Sequence, residues 1–172
     1  MASSLENVSG PGKSLQKEPP DAKEFAGLKR SALARLTDSA KNSNSLESRF
    51  DLAYNAAHAL CLAALRWHGY RPTNRYIVFQ VLPHTLGLGP EVWRVLDKCQ
   101  SVRNLGEYEG VLNIDERLVT DLITACRSVA TKLDLLAPIP PPVRPRGQLR
   151  NFVRKRPPAA ALSSRAGALY PT

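Results

Sequence analysis

Between Lys98 and Gly110 the chain places Arg103, Asn104, Glu107 and Tyr108 within two helical turns, a grouping that could bind an anion. Val92, Leu96 and Cys99 recur at spacings of four and three, and continuing the series lands on Arg103 and then Gly106. An arginine thus falls on an apolar stripe. A guanidinium keeps its charge at neutral pH, so burying it unpaired is too costly, and it must meet a carboxylate, a carbonyl or a ligand phosphate. Glu107, one turn on, is the nearest carboxylate. The plain alternative to a ligand site is therefore an Arg103–Glu107 pair on the helix surface, contributing roughly 0.2 to 0.5 kcal/mol.

The helix that carries these residues has a clear start. Gly89 can serve as N-cap, Pro90 as a first helical residue that needs no N–H partner, and Glu91 suits the positive end of the helix dipole. Three other starts read as capping boxes: Asp21 with Glu24, Asn44 with Glu47, and Asn113 with Glu116. The helix after Asn44 keeps Leu46, Phe50, Ala53, Ala57, Leu60, Ala64 and Trp67 on one stripe and ends at Gly69. Its second flank of Ala56, Ala59 and Ala63 lets two other helices approach closely, so it should be central. Pro72 and Thr73 open a further helical segment, which Pro83 should kink or break. The last helix turns Leu118, Leu122, Ala125, Val129 and Leu133 inward, and Pro138 stops it. With no convincing period-two alternation, the expected fold is an all-α bundle of about five helices.

A chain of 172 residues, 43% of them hydrophobic, can build one domain with a core. Composition divides it into an unstructured leader over 1–20, a helical domain over 21–136 and an unstructured Pro/Arg-rich tail over 137–172. The formal charge of +9 is concentrated in the tail, where seven cations between Arg144 and Arg165 meet no acid. The leader balances two lysines against two glutamates, which leaves +2 for residues 21–136. Basic character is therefore a property of the tail and does not mark the domain as a nucleic-acid binder. Cys61, Cys99 and Cys126 lie far apart with no C-x-x-C, and read as reduced core thiols of a cytoplasmic protein. A secretion signal and a membrane-spanning run are not expected.

Gly10 to Ser14 has the ending of a phosphate-binding P-loop, but Asn7 stands where the first glycine belongs and no strand precedes it. His58 and His68, ten residues apart, cannot offer two metal ligands from one helix face. Neither a metal nor a cofactor is implied.

Read together, Ala53-Tyr-Asn-Ala-Ala-His58, Gly69-Tyr-Arg-Pro72 and Arg103-Asn-Leu-Gly-Glu-Tyr108 resemble the higher-eukaryote and prokaryote nucleotide-binding (HEPN) domain superfamily over about Ser45 to Leu133. In its nuclease branch a histidine stands five residues after the arginine. Here that place is held by Tyr108, and the motif is closer to the branch that reads Arg-x-x-Ala-Asp-Tyr, with Gly106 and Glu107 in place of Ala and Asp. The resemblance implies a homodimer whose interface groove holds these residues. It also implies a nucleotide, RNA or nucleotidyltransferase-type partner, in a toxin–antitoxin or defence setting. The preferred expectation is a non-catalytic module that binds through Arg103, Asn104, Glu107 and Tyr108. The alternative is a metal-independent endoribonuclease using Arg103 and Tyr108. Tyrosine titrates near ~10 and is poorly matched to proton transfer at neutral pH, whereas it can donate a hydrogen bond to phosphate.

Overall fold

The computed structural model describes residues 4–110 and 112–140. The expected basic tail therefore lies, from residue 141 onward, outside the described residues. The described chain is mostly helical, with seven helices and one two-stranded sheet. In order these are α1 (Ser4–Asn7), β1 (Leu15–Lys17), α2 (Ala22–Ser39), α3 (Leu46–Trp67), β2 (Tyr70–Pro72), α4 (Ile77–Gln80), α5 (Leu82–Thr85), α6 (Pro90–Glu109) and α7 (Glu116–Asp134).

Helix α3 is the centre, as its two alanine flanks require. Ala53, Ala56, Ala57, Ala59, Ala63 and Ala64 are all buried, and α3 packs against α2, α6, α7 and β2. Small side chains let the neighbouring backbones come close, while Phe50, Leu60 and Leu65, fully buried, supply the apolar area.

Three helix starts depart from expectation, two of them because the box glutamate is drawn to an arginine of another element. Asp21 does cap α2, its carboxylate accepting the Glu24 N–H at 2.6 Å, but the Glu24 side chain does not return to Asp21. It is taken instead by Arg66 and Arg71. Helix α3 is capped by Ser45 rather than Asn44, and α7 by Asp115 rather than Asn113. Glu116 turns to Arg49, a buried arginine that also donates to the Ser39 carbonyl. Ion pairing between elements outcompetes the local capping box, because a buried guanidinium needs carboxylate partners more than an exposed helix end does.

The segment after Pro72 is not one kinked helix. Asn74 accepts the N–H groups of Tyr76 and Ile77, starting α4, and the chain breaks at Val81 before Pro83 sits in the first turn of α5. Proline is tolerated there since its absent N–H would have had no partner.

The leader is the largest correction: residues expected to be unstructured are part of the fold. Leu15–Lys17 pairs antiparallel with Tyr70–Pro72, Leu15 opposite Pro72, and the pairing is extended by Glu18 N–H to Gly69 O and Thr73 N–H to Ser14 O. Leu5 and Leu15 are buried in the common core. Glu18 closes the seam by pairing with Arg66 and Arg71. The hydrogen bond from Arg71 holds the Glu18 carboxyl below its ordinary range; the charges of Arg66 and Arg71 act the same way, against the cost of burial. A three-residue strand with one buried side chain gives no periodicity to read.

Candidate functional site

Helix α6 begins as expected, with Gly89 as N-cap, Pro90 in the first turn and Glu91 Oε1 accepting the Gly89 N–H at 3.1 Å. Its first half is a core helix, with Val92, Leu96, Cys99 and Gln100 buried. From Ser101 on, no described side chain of α6 is buried, and Leu105 and Tyr108 are exposed, Tyr108 at 90%. Gly110, at φ +73°, ends the helix and donates to the Gly106 carbonyl.

Arg103 stands where the core half gives way to the open half. Its side chain is 23% exposed, with Cζ 4.8 Å from the centroid of the buried Tyr54 ring on α3. This is a cation–π contact on the ring face. Its carboxylate neighbours are Glu107 at 3.4 Å and Asp51 at 3.9 Å, both longer than the ~2.7 to 2.9 Å of a charged N–H···O bond. A groove of about 220 Å³ beside it is lined by Glu47, Asp51, Arg103, Gly106, Glu107, Gly110 and Leu112. Three carboxylates thus surround one guanidinium.

The four residues singled out in the sequence separate into three settings. Arg103 and Glu107 meet, with Asp51 as an unforeseen third member. Asn104 does not line the groove and donates through Nδ2 to the Tyr76 hydroxyl at 3.1 Å. Tyr108 points into solvent and has no hydrogen-bond partner among the described residues.

Sequence reasoning missed Tyr54, Arg75 and His58 as members of this neighbourhood. Tyr54 and His58 are one turn apart on α3 and both stack edge-on against Phe79. Burial pushes the Tyr54 phenol up, and Arg103 acts in the opposite sense. Burial, reinforced by the charges of Arg75 and Arg103, pushes His58 down to about 4, so its imidazole is neutral at physiological pH. His58 Nε2 is buried without a hydrogen-bond partner among the described residues. The four-residue Tyr54–His58 spacing was the available signal; only tertiary packing brings Arg75 to it.

Other candidates resolve into structure. Lys13 of the P-loop-like stretch donates to the Asn7 carbonyl at 3.0 Å within its own turn. His68 Nε2 lies 2.7 Å from the Thr85 carbonyl. Cys61, Cys99 and Cys126 are free and buried, and burial raises all three thiols, Cys99 and Cys126 to about 12, so none is a thiolate near neutral pH. Among the described residues no three His, Cys, Asp or Glu side chains converge as metal ligands, and no helix is long and apolar enough to cross a membrane. No protein-family model matches the chain, and neither a curated protein nor a solved structure does.

Proposed function

We propose that the chain is a homodimeric helical module that binds a phosphate-bearing ligand, a nucleotide or RNA, at Arg103. The observation that carries this reading is a half-buried guanidinium held in place by a ring face rather than by short ion pairs. Stacking on Tyr54 fixes the group, and its long ion pairs with Glu107 and Asp51 leave its in-plane donors short of the close contacts that a planar or tetrahedral oxyanion would supply. The surrounding acids set a condition on binding: a phosphate gains Arg103 only by displacing Glu107. The open half of α6, with Leu105 and Tyr108 exposed beside the site, supplies the apolar area that a second copy would cover.

Titration of the full chain with a mononucleotide avoids counting polyanion binding to the basic tail. Arg103→Ala is expected to weaken mononucleotide affinity about 10- to 100-fold, the equivalent of ~1.5 to 3 kcal/mol for charged hydrogen bonds. Glu107→Gln is expected to strengthen it. Unchanged affinity in both variants would leave Arg103 as a structural ion pair. Light scattering at tens of micromolar should report a dimer that Leu105→Glu returns to monomer.

A further inference from the structure

The outer side of α2 carries a groove of about 390 Å³, lined by Phe25, Ala26, Lys29, Arg30 and Leu33. Its walls are largely apolar. Leu33 is 39% exposed, Ala26 is exposed, and Phe25 is half-buried with its inner side on the core. Phe25 and Leu33 lie two helical turns apart, about 12 Å along the axis. Lys29 pairs with Asp134, the last residue of α7, which brings the end of that helix beside the groove. The next residue, Leu135, is 74% exposed.

The charges left open on this side of α2 have one sign. Lys23 and Arg30, seven residues and two turns apart, share a side of the helix; both are exposed and neither makes an ion pair with a described residue. The acids of α2 and its cap are all engaged elsewhere. Asp21 accepts the Glu24 N–H, Glu24 is held by Arg66 and Arg71, and Asp38 pairs with Lys41. An apolar groove is thus edged by two cations that no carboxylate among the described residues answers.

We propose that this face is the docking site for an acidic amphipathic helix of a partner protein, with its apolar stripe in the groove over Phe25 and Leu33 and its carboxylates against Lys23 and Arg30. Charge and shape together select that partner. A second copy meeting this face through a two-fold axis would set cation against cation. Single-stranded nucleic acid gains from exposed aromatic rings on which bases stack, whereas the groove offers one half-buried phenylalanine between aliphatic walls. A lipid surface is flat, and a groove two turns long instead matches the i, i+3, i+4, i+7 anchors of a helix. None of these residues lines the groove at Arg103, so the docking site stands independently of the proposed function.

The test uses the full chain and a synthetic helical peptide with leucines at i, i+3, i+4 and i+7 flanked by glutamates. A scrambled peptide of the same composition measures attraction to the basic tail, which takes no account of order. The ordered peptide should bind about ten-fold more tightly than the scrambled one and shift the NMR amide signals of residues 25–33. Leu33→Asp and the double variant Lys23→Glu/Arg30→Glu should each remove that preference, and Arg103→Ala should leave it intact. A peptide with lysines in place of the glutamates should restore the preference in the double variant, a rescue that only direct contact gives. All three substituted residues are exposed, so the variants are expected to fold, and an unchanged amide spectrum outside α2 checks that. Equal affinity for the ordered and scrambled peptides, or a preference that survives both variants, would overturn the proposal. Shifts over residues 25–33 with phosphatidylserine vesicles or an oligonucleotide, and none with the ordered peptide, would overturn it in favour of that ligand.

Discussion

Arg66 and Arg103 each carry a guanidinium out of bulk water, and the protein treats them oppositely. Arg66, 1% exposed at the end of α3, spends all five of its N–H donors inside the chain. Nε meets Glu24; one terminal nitrogen meets the carbonyls of Glu18 and Tyr70, and the other meets the Glu18 carboxylate and the Pro19 carbonyl. Arg103 has a ring face and two long ion pairs. A saturated guanidinium is a fastener, since nothing is left for a ligand to gain. An oriented but unsaturated one is a binding group.

The largest effect expected from this contrast is at Arg66. Arg66→Met keeps the volume but orphans three carbonyls and leaves Glu18 and Glu24 to Arg71 alone, and should cost about 3 kcal/mol or more in denaturant unfolding. A smaller loss would mean that water refills the seam and the fastener is weaker than its bond count.

The next effect is a pH dependence on the Arg103 side. The folded chain keeps His58 neutral down to about 4, whereas an unfolded chain protonates it near ~6.5. In that window the unfolded state binds more protons, so stability falls as pH drops, by up to about 3 kcal/mol in all. Glu18, whose folded value is depressed, adds a loss in the same direction only below its ordinary 4.5. Unfolding midpoints measured across pH 7 to 4 should therefore slope in the wild type and flatten over the upper part of the range in His58→Gln. A slope that His58→Gln leaves unchanged would place the proton uptake elsewhere.

The smallest expected effect sharpens the comparison most. Arg103→Ala should lower stability by no more than about 1 kcal/mol, the size of one partly exposed cation–π contact with weak ion pairs. If it destabilises the fold as much as Arg66→Met, the two arginines belong to one class and the binding reading loses its support.

Long elements were legible in the sequence because their stripes run in phase with the helix: α3 lies within one residue of its expected start, and α6 begins at the expected cap. What sequence reading lost is where one carboxylate could serve two masters. Glu24 and Glu116 fit local capping boxes, and both were taken by arginines from distant segments, which no local pattern records. The leader was lost for a related reason. Its polar composition is that of a loop, and its place in the fold depends on a short backbone pairing and on a few side chains, Leu5, Leu15 and Glu18, finding partners far along the chain. At the site, Arg103 and Glu107 were readable from one helix, whereas Asp51, Tyr54, His58 and Arg75 belong to other elements.

The seam between β1 and β2 brackets α2 and α3, so the chain from Leu15 to Pro72 is a closed ring stitched at its two ends. Helices α2 and α3 are neighbours in sequence and can pair early, but the stitch must wait until both ends of the ring exist. The same stitch can then open as a unit while the helices stay folded. A protease present in trace amounts would meet the polar stretch from Gly10 to Ser14 in that opened form, and would release the residues before the cut from a body that is still helical. Such a clipped species would lose Leu5 from the core yet keep Leu15 and the Glu18 and Pro19 partners of Arg66, so the stitch could close again behind the cut.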